Sequence, residues 1–130
     1  MKETAECMAR AFVAAINRQD VEGLAALMTA EHRFVDSLGN VVEGRETMRG
    51  AWVGYFRMVP DYSLAVEEVF GDGAVVVMVG VAGGTYAPDG VLKAENRWAT
   101  PAVVRALVEG GLVAEWRVYA DNEPMRRLMR

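Results

Sequence analysis

The chain has 130 residues, of which 52% are hydrophobic and 25% are charged. This length suits one domain with a single core, and we expect that domain to span residues 1–130. With 14 Lys and Arg against 18 Asp and Glu, the net charge is −4, so the basic surface that nucleic acid requires is missing. The longest apolar run, Ala74 to Ala82, is far shorter than the roughly 20 residues of a membrane span. Nucleic acid and membrane partners are therefore not expected.

Cysteine and histidine are scarce, with one residue of each, Cys7 and His32. They cannot build the usual zinc sites, and no phosphate-binding glycine motif occurs, so we expect neither a metal nor a cofactor. A lone cysteine cannot form an intrachain disulfide, and the first residues lack the order of a signal peptide, which together favour the reducing cytoplasm. Cys7 is predicted to lie buried and inert on the apolar face of the first helix.

The first sixty residues predict three helices. Apolar residues from Cys7 to Ile16 recur with helical spacing, which predicts an amphipathic helix over Thr4–Asn17. Asp20 is a suitable N-cap for a second helix, and a third should end at Pro60, which lacks a backbone donor. The apolar stripe of the second helix comprises Val21, Leu24, Leu27 and Met28, and that of the third runs from Met48 to Val59.

Extended segments make up the rest of the pattern. His32–Asp36 and Val41–Val42 predict two short strands around a turn at Leu38–Asn40. Four longer strands should follow, at Tyr62–Phe70, Ala74–Tyr86, Asn96–Glu109 and Leu112–Ala120, separated by glycine-containing turns. Helices followed by consecutive strands indicate an α+β fold. Pro101 within a long strand implies an edge position or a bulge that bends the sheet.

Strand alternation predicts which side chains of the last two strands face the core. The predicted inward set is Asn96, Trp98, Thr100, Ala102, Val104, Ala106 and Val108 on one strand and Ala114, Trp116, Val118 and Ala120 on the other. Phe34 and Asp36 share a face of the short strand, with His32 two residues before Phe34.

Four segments resemble the nuclear-transport-factor-2-like superfamily, which includes steroid Δ-isomerases, SnoaL-like polyketide cyclases and limonene epoxide hydrolase. They are Phe12–Leu24, Phe34–Asp36, Val42–Arg45 and Gly111–Arg117, and the resemblance covers almost the whole chain. It implies a cone-shaped α+β barrel, with the N-terminal helices packed in the concave face of a strongly curved antiparallel or mixed sheet. It also implies one apolar pocket and a homodimer formed by the outer face of the sheet.

In the isomerase branch of this superfamily, a carboxylate at the place of Asp36 is the general base. Phe12 then replaces the tyrosine that stabilises the enolate, Val104 lies near the second acid, and Met28 and Trp52 replace other pocket tyrosines. The epoxide hydrolase branch requires an acid two residues after the tryptophan of the final strand, where this chain has Val118 after Trp116. Asn96 and the Trp98 indole are the donors that could substitute for the missing groups, unless each satisfies a backbone carbonyl.

Asp36 has two interpretations. It is either a general base whose pKa is raised by desolvation among aromatic side chains, or a turn residue that accepts backbone N–H groups from Leu38 or Gly39. His32 is a second catalytic candidate that could orient or protonate a ligand, or it could merely end a helix. The predicted substrate-binding residues, for which core packing is the alternative, are Phe12, Met28, Phe34, Trp52, Tyr55, Phe56, Asn96, Trp98, Val104 and Trp116.

These residues lead to three functional hypotheses. The first is a cofactor-free isomerase, cyclase or hydrolase that acts on a small hydrophobic molecule with Asp36 as general base. The second is a non-catalytic binding protein for a small apolar ligand. The third is a structural dimerisation module, which would be favoured by a collapsed pocket.

Overall fold

Helices and strands follow one another largely as the periodicity predicts. The structure, a computed structural model, describes residues 3–130, so the first two residues of the predicted domain lie outside it. The elements are α1 (Glu3–Asn17), α2 (Val21–Ala26), β1 (Met28–Val35), β2 (Val41–Glu43), α3 (Arg45–Met58), β3 (Ser63–Asp72), β4 (Val75–Thr85), β5 (Arg97–Glu109), β6 (Leu112–Ala120) and α4 (Glu123–Met129), with a 3₁₀ turn at Ala94–Asn96. Among the helices of these residues, none has the length and apolarity to cross a membrane.

The strands form one mixed sheet in the order β2-β1-β6-β5-β4-β3. β1 runs parallel to β6, and every other neighbouring pair is antiparallel. α1 packs against β3, β4, β5 and β6, and α3 packs against β1 and β2. The fold is therefore α+β, as predicted, with a sheet that stays open between β2 and β3 rather than closing into a complete barrel.

The apolar stripe of α1 is rotated from the predicted one. Ala5, Ala9, Phe12 and Ile16 are buried, which is the alternating i+4 and i+3 spacing of one helix face, whereas Cys7 is exposed. The prediction of a buried Cys7 was wrong because the stripe is centred on the Ala5–Ala9–Phe12 line, about half a turn away.

The second helix is shorter than predicted. Its N-cap is Asp20, whose Oδ1 accepts the N–H of Gly23 at 2.9 Å, which confirms the predicted cap. The helix ends at Ala26, and Leu27 is its C-cap. Met28 therefore begins β1 instead of continuing the helical stripe, and β1 is longer than the predicted strand at His32–Asp36.

Inward alternation on β5 is confirmed from Trp98 to Val108, since every second residue is buried. On β6 the alternation fails at one point, because Leu107 pairs with Glu115 but Val108 pairs with Val113. Ala114 is thus the extra residue of a β-bulge. Val113 is buried in its place, and the predicted inward orientation of Ala114 was wrong.

Pro101 is at a local edge, which is one of the two predicted alternatives. It pairs with Val81 of β4, and the register of β4 and β5 runs through it without a shift. On the other side, β6 ends at Ala120 opposite Ala102, so a missing N–H at Pro101 costs no ladder bond to β6. The other register shifts of the sheet lie in β3, between Val66 and Glu68, and in β1, between Met28 and Arg33.

Candidate functional site

A cavity of about 280 Å³ lies between α3 and the inner face of the sheet. This volume is just below the range for small-molecule sites, about 300 to 1,000 Å³. Its apolar lining consists of Ile16, Phe34, Val42, Met48, Ala51, Trp52, Leu64, Ala102, Val104, Trp116 and Val118, and its polar lining of Asp36, Ser37, Tyr55, Tyr62 and Asn122. The cavity is not collapsed. A collapsed pocket is the observation that would have favoured the third hypothesis, a structural dimerisation module.

One side of the cavity is a row of aromatic rings, which we call the aromatic wall: Phe34, Trp52, Tyr55 and Tyr62. Ring centroids are 6.2 Å apart from Phe34 to Trp52, 6.2 Å from Trp52 to Tyr55 and 5.0 Å from Tyr55 to Tyr62, and all three pairs meet edge to face. The spacing is typical of favourable aromatic pairs. The helix supplies the central two rings because Trp52 and Tyr55 lie three residues apart on α3.

Two hydroxyl groups belong to this wall. Burial raises the pKa of Tyr62 to about 12, and burial together with the nearby Tyr62 raises the pKa of Tyr55 further. Both phenols are therefore neutral near pH 7 and can donate hydrogen bonds. The Tyr55 hydroxyl has only a weak partner, Met125 Sδ at 3.8 Å. Tyr62 was missed as a site residue because it reads locally as the start of a strand, and only the packing of α3 against the sheet brings it to the cavity.

Three half-buried or exposed polar residues form what we call the rim: Asp36, Ser37 and Asn122. Asp36 and Ser37 follow β1, and Asn122 follows β6, its parallel neighbour. The Asn122 side-chain amide donates to Ser37 Oγ at 2.7 Å. This bond ties the β1–β2 turn to the start of α4, at the edge of the cavity. Neither Ser37 nor Asn122 was predicted as a site residue, because neither carries a local signal.

The Asp36 carboxylate is extensively hydrogen bonded. Oδ1 accepts the N–H groups of Leu38 and Asn40, each at 2.9 Å, and Oδ2 accepts the Asn40 amide at 3.1 Å. Partial burial raises the pKa of Asp36, but the donors of Asn40 and Leu38, together with the nearby N–H group of Gly39, lower it by more, so it lies below its usual value. Of the two interpretations of Asp36, the geometry therefore matches the turn residue that accepts backbone N–H groups, because the turn supplies donors that outweigh the desolvation.

His32 lies behind the cavity lining, in a cluster with Phe12 and Trp116 that we call the buried centre, and of these three residues Trp116 alone lines the cavity. Its side chain is fully buried, and its Nδ1 is 2.7 Å from the carbonyl oxygen of Val113. Because a carbonyl only accepts, Nδ1 carries the proton. Burial lowers the pKa of His32, against smaller opposing effects of that bond and of Glu115, so the ring is neutral near pH 7. The Phe12 ring is 5.9 Å from His32 and 4.3 Å from Trp116.

Half of the predicted site residues line the cavity, namely Asp36, Phe34, Trp52, Tyr55, Val104 and Trp116. The others lie behind it or beyond it. Phe12, Met28 and Phe56 are buried core residues. Trp98 packs with Val59 and Met125 in a separate cluster. Asn96 belongs to the 3₁₀ turn before β5, and its carbonyl accepts the N–H of Tyr86 at 3.0 Å. The structure therefore does not bring the two proposed substitute donors, Asn96 and Trp98, to the cavity.

Metal ligands are not gathered at this site. Within residues 3–130, no three His, Cys, Asp or Glu side chains come close enough together to hold an ion.

Comparisons with known proteins place this arrangement in a family. An open, curved sheet with helices in its concave face and one cavity between them is the architecture of the nuclear-transport-factor-2-like superfamily. The SnoaL-like domain family matches residues 9–116, and the chain belongs to that family. No curated protein matches the sequence.

Solved structures share the fold at low sequence identity. A protein from Xanthomonas campestris pv. campestris that is provisionally described as a polyketide cyclase is 18% identical to this chain. The match covers 98% of each chain, with a TM-score of 0.83. An LEH-like epoxide hydrolase of M. tuberculosis is 16% identical over 98% of this chain and 90% of its own, with a TM-score of 0.81. A protein of Catenulispora acidiphila with a ketosteroid isomerase-like fold, solved with trimethylamine, is 21% identical over 86% of this chain and 83% of its own, with a TM-score of 0.74. At such identities the likeness shows the fold alone.

Proposed function

We propose that this protein binds a small, flat, largely apolar molecule in the cavity. The observation that carries the proposal is the pairing of two unlike walls around an open volume of about 280 Å³. Edge-to-face aromatic rings form one wall, and Ala102, Val104 and Val118 of the sheet form the other. A planar ring system can contact both walls at once, and the tyrosine hydroxyls offer hydrogen bonds to an acceptor atom on it.

The cavity can be tested by filling it. Ala102 lines it from β5, and Ala99 on the same strand is exposed on the opposite face. Naphthylmethanol is a suitable planar probe for calorimetric titration. We expect Ala102→Leu to weaken its binding by about tenfold or more, because the added carbons occupy ligand volume, whereas Ala99→Leu should leave the affinity unchanged. Equal affinity of both variants and the native protein would contradict binding in this cavity.

A second candidate function is catalysis with Asp36 as general base, supported by the position of Asp36 in the cavity lining. The reaction would be of the isomerase, cyclase or hydrolase type. In an enone isomerisation, the carboxylate would take a proton from the carbon beside the carbonyl and return it to the γ carbon, while Tyr55 or Tyr62 donates a hydrogen bond to the enolate oxygen. The lowered pKa of Asp36 makes it a weak base, and for this reason binding is the first candidate.

Turnover separates the two candidates. A β,γ-unsaturated cyclic ketone can be followed by the ultraviolet absorbance of its conjugated product. Catalysis by Asp36 requires that Asp36→Asn abolish turnover while leaving the thermal unfolding midpoint nearly unchanged, since asparagine keeps the Oδ1 acceptor of the turn. Turnover that persists in Asp36→Asn would exclude Asp36 as the base.

The predicted homodimer also becomes a proposal. On β4, Val75, Val77, Val79 and Val81 alternate with the buried residues and are only half-buried. Val79 pairs with Val103 of β5, and Val77 pairs with the exposed Phe70 of β3. This outer apolar surface is suited to a second copy of the chain. Light scattering should show a dimer that Val79→Lys converts to a monomer and that Val91→Lys, in an exposed loop, does not affect. A monomeric native protein would contradict it.

A further inference from the structure

The charge of the cavity is one-sided. Asp36 is the only charged side chain among the described residues that line it, and no Lys, Arg or His takes part in the lining. Ion pairs within residues 3–130 use other carboxylates, such as Asp20, Asp61, Glu115 and Glu123, and none of these ion pairs includes Asp36. The cavity thus contains a carboxylate without a positive partner.

The carboxylate also keeps capacity for a ligand. A carboxylate oxygen can accept about two hydrogen bonds. Oδ1 already accepts two backbone N–H groups, but Oδ2 accepts only the Asn40 amide. One acceptor position on Oδ2 therefore remains for a donor that enters the cavity.

The surroundings of Asp36 favour a cation with an apolar body. Phe34 lies two residues before Asp36 and lines the same cavity, and its ring contacts Trp52 edge-on at 6.2 Å. Aromatic faces attract organic ammonium groups, and tryptophan does so most strongly. The net charge of −4 adds a weak attraction for cations over the whole molecule.

We propose that the cavity selects protonated organic amines, with the ammonium group hydrogen bonded to Asp36 Oδ2 and the apolar body against the aromatic wall. This inference rests on the proposed binding function and specifies the class of its ligand. A carboxylate ligand of the same shape is disfavoured, because its charge would meet Asp36 with no cation between them.

Three probes with one ring system test the selectivity: naphthylmethylamine, naphthylmethanol and naphthoate, titrated by calorimetry near neutral pH. We expect the amine to bind about fivefold more tightly than the alcohol, because a half-exposed ion pair and a cation–π contact each contribute modestly. Naphthoate should bind most weakly. Added salt should reduce the affinity of the amine and leave that of the alcohol unchanged.

Asp36→Asn should remove the preference for the amine and leave the affinity of the alcohol within about twofold. Asp89→Asn is the matched control, because Asp89 also accepts a backbone N–H in a turn, from Val91 at 3.0 Å, but lies outside the cavity lining. It should keep the native preference. Equal binding of amine and alcohol to the native protein, or a preference that survives Asp36→Asn, would overturn the inference while leaving the proposed pocket intact. Failure of all three probes to bind would contradict the proposed function itself.

Discussion

The buried centre and the rim differ in the burial, charge and hydrogen bonding of their polar side chains. In the buried centre, Phe12, His32 and Trp116 are almost wholly inaccessible, and the His32 imidazole is neutral and hydrogen bonded to a backbone carbonyl. At the rim, Asp36 is charged, partly solvated and held by several donors. The polar chemistry of this cavity therefore lies at its edge and on the tyrosines, whereas Phe12 belongs to the packed core.

The largest expected effect comes from the buried centre. Phe12→Ala should lower the free energy of unfolding by about 3 to 5 kcal/mol, because it removes a fully buried ring and leaves a void against Trp116. Leu92→Ala removes a large apolar side chain that is 54% exposed in the loop before β5, and it should cost no more than about 0.5 kcal/mol. Urea denaturation measures both, and similar losses would show that Phe12 is not part of a packed core.

At the rim, the expected loss is smaller. Asp36→Ala removes the acceptor of three donated hydrogen bonds and should cost about 1 to 2 kcal/mol, since water replaces part of each bond at a half-exposed site. Asp89→Ala removes a single accepted bond and should cost less. If the two substitutions destabilise the protein equally in urea denaturation, the hydrogen bonds of the Asp36 turn do not hold it as the structure indicates.

The pH dependence of stability distinguishes the neutral His32 of the buried centre from an exposed imidazole. Its pKa in the folded protein is below the ordinary 6.5, so at pH values below 6.5 the unfolded chain binds a proton that the folded protein does not. The free energy of unfolding should therefore fall as the pH is lowered from about 7.5 to about 5.5, by at most about 1.4 kcal/mol per pH unit.

His32→Gln gives the control for this slope. His32 is the only histidine of the chain, so the free energy of unfolding of the variant should depend less on pH over the same range. The variant should also be less stable than the native protein at neutral pH. A slope that is unchanged in His32→Gln would assign the titration to another group.

Much of the fold follows from local patterns. Helical spacing, the Asp20 cap, Pro60 and the glycine turns place the helices and strands within a few residues of their observed ends. The errors arise where the structure depends on neighbours in space. Cys7 is exposed because the sheet selects which face of α1 is buried, and Ala114 is displaced by a bulge that is visible only in the pairing of β5 with β6.

The site was less predictable than the fold, and for a similar reason. Alternation separates inward from outward residues, but it does not separate residues that reach a cavity from residues packed behind it. All four of these residues face inward: Phe12 and Met28 are packed in the core behind the cavity, whereas Val104 and Trp116 line the cavity. The resemblance located Asp36, but the direction of its pKa shift depends on the donors of one turn. The single-domain span of 1–130, the cytoplasmic location and the homodimer stay predictions.

The smallest expected effect is the coupling between Ser37 and Asn122 across the rim. Their hydrogen bond, at 2.7 Å, is the described side-chain link between the β1–β2 turn and the residue before α4. Both partners contact solvent, so each alanine variant should cost little by itself. A double-mutant cycle with Ser37→Ala and Asn122→Ala should give a coupling energy of about 0.5 kcal/mol in urea denaturation.

The control pair for that cycle is Ser37→Ala at the rim with Asp89→Ala in a distant loop. These two residues share no hydrogen bond, so their effects on the free energy of unfolding should add. Coupling of about 0.5 kcal/mol that appears only with Asn122 would mean that α4 is held at the cavity edge by this bond as well as by Met125. Additive effects in both cycles would mean that apolar packing of Met125 and Leu128 against Val59 and Trp98 positions the helix. In that case the rim would differ from the buried centre in one more respect. The segments that follow β1 and β6 would contribute to stability independently of each other, whereas the residues of the buried centre are coupled by packing.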